Sequence, residues 1–355
     1  MSMRCIPMFI NGDHVQSTTD RWFDVLNPAN QEVVAQVPMA TLEEVDGAIE
    51  NAHAAFQTWK KVPLGNRMRI MLKLQHLIRE NTTKLAELIT LEHGKTLPDA
   101  EGEVARGLEV VEHACSITSL SLGEMANNVA GNIDVHTLKK PLGVGAGITA
   151  FNFPVMLPCF MFPLALATGN TFVLKPSEQD PMTPQRLIEL FEQAGAPKGV
   201  VQLVHGDKTA VDILLTHPDI KAISFVGSVN VGQYIYKTGT DNLKRVQAFA
   251  GAKNHCVIMP DANKQQVINN LVGASVGAAG QRCMALSVAV FVGAAKEWIP
   301  ELKEAIAKVK PGLWNDEDAA YGPVISPAAK QRVVSLIAQG KQEGADCLLD
   351  GTDFT

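Results

Sequence analysis

Apolar positions in the first third of the chain recur at helical spacing. In "TLEEVDGAIENAHAAFQTW" (41–59), Val45, Ile49, Ala52, Phe56 and Trp59 form one seam, and steps of three and four residues predict an amphipathic helix. Thr41 and Glu44 at its start have the spacing of a capping box. A further helix over roughly 101–117 carries Val104, Leu108, Val111 and Cys115 on one face, with Arg106 away from it. Helices are expected to dominate 41–118. After residue 141 the pattern changes to apolar runs at 142–150, 171–175, 200–204 and 220–226, which read as buried strands. Helical patterns separate them, notably "TPQRLIELFEQAG", with Thr183 as cap and Pro184 at the first helical position. Strand and helix in alternation predict an α/β fold with parallel βαβ units and a doubly wound sheet. A second strand–helix series begins near 254 and includes a strand at 285–292 and a helix at 296–308. The polar, turn-rich stretch 122–141 predicts a projecting hairpin. The greasiest run, 153–169, is broken by three prolines and reads as a buried helix or turn.

Composition narrows the class. A chain of 355 residues exceeds one ordinary core, so two or more domains are expected. Hydrophobic residues at 46% and charged residues at 19% describe a globular protein and not a disordered one. Lys plus Arg number 31 against 37 Asp plus Glu, and no basic block breaks that balance. No nucleic-acid partner is therefore expected, and a small metabolite fits better. No run of about eighteen apolar residues predicts a membrane span. The opening "MSMRCIPMFINGDHV" lacks a secretory h-region, which favours a cytoplasmic location. Six cysteines lie far apart without a CxxC pair, so reduced thiols are expected. His113/Cys115 and His255/Cys256 read as core filling, and no metal is expected. The region from 254 onward has only about a hundred residues, small for the partner of a large sheet domain. The sequence is therefore expected to be incomplete.

Candidate chemistry falls where the strands end. In open parallel sheets, ligands sit at the carboxyl ends of strands near topological switch points. Asn152 follows the run 142–150, Lys175 and Glu178 follow 171–175, and Gly227 and Ser228 follow 220–226. Each also has a plainer reading: Asn152 as a cap before Pro154, Lys175 and Glu178 as solvated charges, Gly227 as a bend. There is no GxGxxG, but "GSVNVG" opens a helix whose free amides suit a phosphate. A carboxylate such as Glu178 suits ribose hydroxyls and repels a 2′-phosphate, favouring NAD over NADP. In "GAAGQRCMALSVAVFVG" (277–293), Cys283 is either a small core hydrophobe or a reachable nucleophile. The adjacent Arg282 favours a thiolate, and an Asn amide suits a developing oxyanion.

The segments "FNFP", "KPSE", "FVGS", "GAKN" and "GQRC", in this order and at these separations, resemble the aldehyde dehydrogenase superfamily. The likeness runs from "FINGDHV" to the last residue. "ARGLEVVEHACS", "GAKNHCVIMPDAN" and "AAGQRCMALSVAVFVG" resemble its CoA-acylating methylmalonate-semialdehyde branch. The resemblance implies a Rossmann-type NAD-binding domain over 1–121 and 142–253 and an oligomerisation hairpin over 122–141. It also implies that 254–355 begins an α/β catalytic domain whose remainder, with an E-x-F-G-P motif that contacts NAD, is absent. For the full-length chain, a homo-oligomer, dimer or tetramer, is implied as well.

The resemblance also implies roles. Cys283 would be the nucleophile, with its backbone amide and the side chain of Asn152 holding the oxyanion. Lys175 and Glu178, followed by Gln179, would hold the adenosine ribose. Thr149, Phe151 and Ala250 would lie near the nicotinamide half, and Ser228 near the pyrophosphate. Arg106 and Arg282 would bind the substrate carboxylate. "FAGAK" (249–253) departs from the "ELGGK" of water-using relatives and puts Phe249 where their general base stands. Without that base, coenzyme A is the implied acyl acceptor. "TAFNFP" has Ala150 where many relatives have Pro. The implied reaction converts methylmalonate or malonate semialdehyde to propionyl-CoA or acetyl-CoA with loss of the carboxylate. A hydrolytic aldehyde dehydrogenase and a non-catalytic NAD-binding remnant are the alternatives.

Overall fold

The structure, a computed structural model, describes residues 4–352. Its contacts form two compact units. The first holds the chain through Leu26, Val33–Ile89 and Glu101–Ala250; the second holds Asn27–Glu32, Thr90–Ala100 and the chain from Gly251 onward.

The chain begins with β1 (Met8–Ile10), β2 (Asp13–Val15), β3 (Trp22–Leu26) and β4 (Val33–Pro38). The helices α1 (Leu42–Trp59), α2 (Leu64–Glu80), α3 (Thr82–His93), α4 (Leu97–Cys115) and α5 (Ile117–Leu120) follow, as the spacing implies. The capping box of α1 forms in full: Thr41 accepts from the Glu44 amide, and Glu44 accepts from the Thr41 amide. Val45, Ile49, Ala52 and Trp59 are buried along the seam, while Phe56 stays partly open. Trp59 reaches 107 positions along the chain to donate its Nε1–H to the Leu166 carbonyl at 3.0 Å. The strands β5 (Met125–Ala130) and β6 (Ile133–His136) make the expected hairpin, antiparallel and exposed at every residue.

The βαβ series then runs β7 (Val144–Ile148), α6 (Met156–Ala167), β8 (Thr171–Lys175), α7 (Met182–Gln193), β9 (Val201–Leu203), α8 (Lys208–Thr216), β10 (Ile220–Gly227), α9 (Val229–Asp241) and β11 (Arg245–Ala250). The run 153–169 resolves into helix. Pro154 precedes α6 and Pro158 falls in its first turn, where an amide has no partner to lose. The α7 start differs from expectation. Pro181 is already in the right-handed helical region, so the helix begins at Met182 and Thr183 lies inside it instead of at its cap position. The seven-stranded sheet has the order β11-β10-β7-β8-β9-β1-β2, parallel from β7 through β11 and antiparallel at β1 and β2. Its core packs Val45, Ile49 and Ala52 against Val144, Ala146, Val173, Ile223 and Phe225. Each fully buried Val, Ile or Phe side chain among them stabilises the fold by about 1.5–3 kcal/mol.

In the second unit, β12 (Asn254–Ile258) pairs in parallel with β13 (Leu286–Phe291). α10 (Lys264–Val276), α11 (Ile299–Ala307) and α12 (Pro327–Gln342) complete it. Ile258, Leu271 and Ala295 centre a small core with Val267, Phe291, Trp298 and Leu302. The helix expected over 296–308 splits into a 3-10 turn, Gly293–Trp298, and α11. Pro300 stands at the start of α11, the place in a helix where a missing amide costs least.

Candidate active site

Four parallel strands of the first unit end almost level. Ile148 pairs with Lys175 on one side and with Phe225 on the other, and Val226 and Gly227 pair with Phe249 and Ala250. The chain builds β7, β8 and β9 outward in one direction and then returns to add β10 on the opposite side of β7. The switch point of the sheet therefore lies between β7 and β10. Thr149 and Asn152 leave one side of that crevice, and Ser228 leaves the other. At about 4.8 Å per strand, Lys175 and Ala250 stand three spacings, about 14 Å, apart along this edge. That span suits an extended dinucleotide.

Each wall of the crevice has a local cause. Thr149 is buried and donates its backbone amide to the Lys175 carbonyl at 3.2 Å; its Oγ1 has no hydrogen-bond partner. Lys175 is buried with its Nζ 3.1 Å from Glu178 Oε2, and the Glu178 side chain is partly open to solvent. Gln179 shares that loop, its amide donating to Ser177 Oγ. Just past the end of the neighbouring strand β9, His205 is fully buried. Desolvation, and then the Lys175 charge, push its imidazole down to about 3, so it stays neutral. Ser228 is exposed in the cap position of α9 with extended backbone, and its side chain makes no cap hydrogen bond. The first amides of α9 are thus not claimed by their own cap, as phosphate binding requires. The glycine that closes "GSVNVG" serves packing. A Cβ on Gly232 would come within 2.6 Å of the Ala250 Cβ, so only glycine lets α9 lie this close to β11.

Phe151 and Asn152 occupy the turn between β7 and α6 and are partly buried. Glu103 sets this turn: its Oε1 accepts from the Val155 amide at 2.7 Å and the Met156 amide at 3.3 Å. The carboxylate thus sits at the positive end of α6. Gly107 on the same helix lets α4 approach, since a Cβ there would meet Val155 at 3.0 Å; Gly102 has nothing within 4 Å and plays no such part. Arg106 points to solvent and pairs with Glu109 at 2.8 Å, an exposed i,i+3 ion pair. Phe249 is exposed at the end of β11, with Ala250 half-buried beside it.

In the second unit, Cys283 is exposed and is not core filling. Cys159 in α6 of the first unit is the buried thiol, and burial together with the Glu103 charge pushes its thiol far up. The backbone before Cys283 is unusual: Ala278 and Ala279 both have positive φ, 50° and 53°. Left-handed alanine costs about 1–2 kcal/mol per residue, so neighbouring groups must hold the turn. Asp99 accepts from the Ala278 amide at 3.0 Å and from Arg282 Nη2 at 2.5 Å. Asn254 Nδ2 donates to the carbonyls of Cys283 at 2.9 Å and Ala285 at 2.8 Å. Gln281 Oε1 accepts from the Ile325 amide at 2.9 Å.

Within the first unit the fold therefore brings Thr149, Lys175, Glu178, Ser228 and Ala250 to one sheet edge and leaves Arg106 on a solvent-facing helix surface. Within the second it joins Arg282 and Cys283 to one braced turn. Sequence reasoning missed Glu103, Asp99 and His205. All three act through tertiary partners distant in sequence, and only the position of Asp99 in the first turn of α4 is a local signal.

Residues 14–355 match the aldehyde dehydrogenase family model. The chain is 51% identical over 350 residues to the acylating methylmalonate-semialdehyde/malonate-semialdehyde dehydrogenases, mitochondrial, of Mus musculus and Homo sapiens. The alignment covers 99% of this chain and 65% of each relative, so the chain spans about two thirds of their length. The crystal structure of methylmalonate-semialdehyde dehydrogenase from Oceanimonas doudoroffii superposes with a TM-score of 0.95 at 44% identity, covering 98% of this chain and 72% of that one. A Sinorhizobium meliloti chain provisionally given the same name, solved with NAD, superposes at 0.96 and 45% identity, covering 100% and 73%.

Proposed function

The chain belongs to the aldehyde dehydrogenase family, and from that premise we propose that it oxidises methylmalonate or malonate semialdehyde with NAD and passes the acyl group to coenzyme A. The names of its relatives and its own residues support this reading. NAD, when bound, supplies the acceptor for the aldehyde hydrogen and its electron pair. The chain does the rest. Lys175, Glu178 and Gln179 hold a ribose, the open α9 terminus at Ser228 holds pyrophosphate, and Thr149, Phe151 and Ala250 line the path toward the nicotinamide. Cys283 forms the carbon–sulfur bond to the carbonyl carbon, and its own amide with the Asn152 side chain carries the oxyanion charge. The thioester left on Cys283 is released when the coenzyme A thiol attacks its carbonyl and the cysteine sulfur leaves. Arg282 and Arg106 are assigned the substrate carboxylate. The β-carboxylated thioester loses its carboxylate as CO2, which water converts to bicarbonate, and the carbon left behind takes up a proton.

The observation that carries acyl transfer to a thiol instead of water is Phe249, an apolar side chain at the end of β11 where a general base would be needed. The test is NADH formation from malonate semialdehyde with and without coenzyme A. Turnover that depends on coenzyme A and yields acetyl-CoA is expected; equal turnover in both, giving free acid, excludes the reading. The alternative reading is an NAD-binding chain without turnover. Calorimetric titration with NAD, combined with mass spectrometry of Cys283 after incubation with aldehyde, separates the two.

The remaining assignments belong to the same proposal. Residues 1–121 and 142–253 are assigned the NAD-binding function, 122–141 the oligomer contact, and 254–355 part of the catalytic domain. Sedimentation of the protein with and without the hairpin tests the homo-oligomer. Among the described residues no helix is long and apolar enough to cross a membrane. A cytoplasmic location is not supported by the relatives named mitochondrial, and cell fractionation decides it.

A further inference from the structure

Asp99 spends both of its carboxylate oxygens on the turn that carries Cys283. Oδ2 takes the Ala278 amide at 3.0 Å, at the first of two consecutive left-handed alanines. Oδ1 takes Arg282 Nη2 at 2.5 Å, one residue before the cysteine. The Asp99 and Arg282 side chains are both about three-quarters shielded from solvent, so the pair is held and not fluttering on the surface. The guanidinium lies across Gly277, where a Cβ would meet its Nη1, Cζ and Nη2 atoms at 2.6–2.7 Å. Asp99 itself stands in the first turn of α4, a rigid mount whose N-terminal dipole favours a carboxylate. One side chain thus fixes the backbone at the start of the turn and the cation at its end.

We propose that Asp99 is the positioning residue of the nucleophile turn: it locks the left-handed backbone at Ala278 and holds Arg282 in one direction, partly offsetting that cation beside Cys283. Arg282 donates to Asp99 through Nη2 and keeps its other N–H groups in a fixed orientation for a second carboxylate. Asp99 touches neither aldehyde nor cofactor and acts through Arg282 and Ala278.

The turn itself can be tested without turnover. The full chain and its Asp99→Asn and Asp99→Ala forms are treated with iodoacetamide at neutral pH, and peptide mass spectrometry follows Cys283 and the exposed Cys347 in the same sample. Asp99→Asn keeps an acceptor for Ala278 but loses the charge; freeing the Arg282 cation should raise Cys283 alkylation about threefold or more, with Cys347 unchanged. Asp99→Ala also drops the Ala278 bond and should raise it further. An unchanged rate at Cys283, or an equal rise at Cys347, overturns the proposal.

A second arm rests on the semialdehyde reading. In Asp99→Asn, KM for malonate semialdehyde should rise about tenfold while KM for propanal stays within about twofold, because only the carboxylated aldehyde uses an oriented arginine. A parallel rise for both aldehydes overturns the holding of Arg282. A wild-type enzyme with no preference for the carboxylated aldehyde sinks the substrate reading instead, and alkylation alone then decides for or against Asp99.

Discussion

Two cysteines show how little a residue's identity says until its surroundings are known. Cys159 and Cys283 both sit in apolar stretches of sequence, yet one is sealed inside α6 and the other is exposed on a braced turn. The neighbouring "GQR" identified Cys283 through resemblance; Arg282 itself turned out to be paired with Asp99. Phe249 makes the sharpest residue-scale prediction. Phe249→Glu should add a general base and give free acid in the absence of coenzyme A, with hydrolysis rising about a hundredfold or more; chromatography of the products checks it. Asn152→Ala should slow acyl-enzyme formation about 10²–10³-fold with little change in NAD affinity, read as the NADH burst.

Elements were legible where periodicity or capping is local. The α1 seam and its capping box, the hairpin at 122–141 and the parallel series after 141 all formed as their patterns imply. The misses are at boundaries. Pro181 and Pro300 each moved a helix start, because a fixed φ decides where a helix can begin more firmly than a good cap does. Close packing between elements left even less trace. Gly232→Ala should force α9 off Ala250, lower stability by about 1–3 kcal/mol and weaken NAD binding, checked by denaturant titration and calorimetry. Glu103→Ala strips the α6 amides of their buried acceptor and should cost about 1–3 kcal/mol, again by denaturant titration. Cys159 alkylation under native conditions should rise with it.

The response of the whole molecule to acid follows from histidines that only burial identifies. His205 titrates near 6.5 when unfolded and near 3 when folded, because desolvation and the Lys175 charge oppose its protonation. His93, buried beside Lys95, is held down in the same sense. A depressed histidine contributes stability that is intact above pH 6.5 and is lost as pH falls from there toward 3. His205 alone should remove about 2 kcal/mol by pH 5. The unfolding midpoint should therefore drop between pH 7 and pH 5, and His205→Asn should flatten that slope; an unchanged slope would show that the imidazole is not neutral in the fold.

What the sequence determined by itself was the class of the fold, the strand–helix rhythm and the places where strands end, since these depend on spacing along one chain. Motif order added the family and the candidate nucleophile. Tertiary structure alone decided which strand ends lie level at the switch point, that His205 is neutral beside Lys175, and that Asp99 grips a turn 179 positions away. Such choices depend on solvent exclusion and on partners remote in sequence, and no local pattern of hydrophobic and polar residues encodes either.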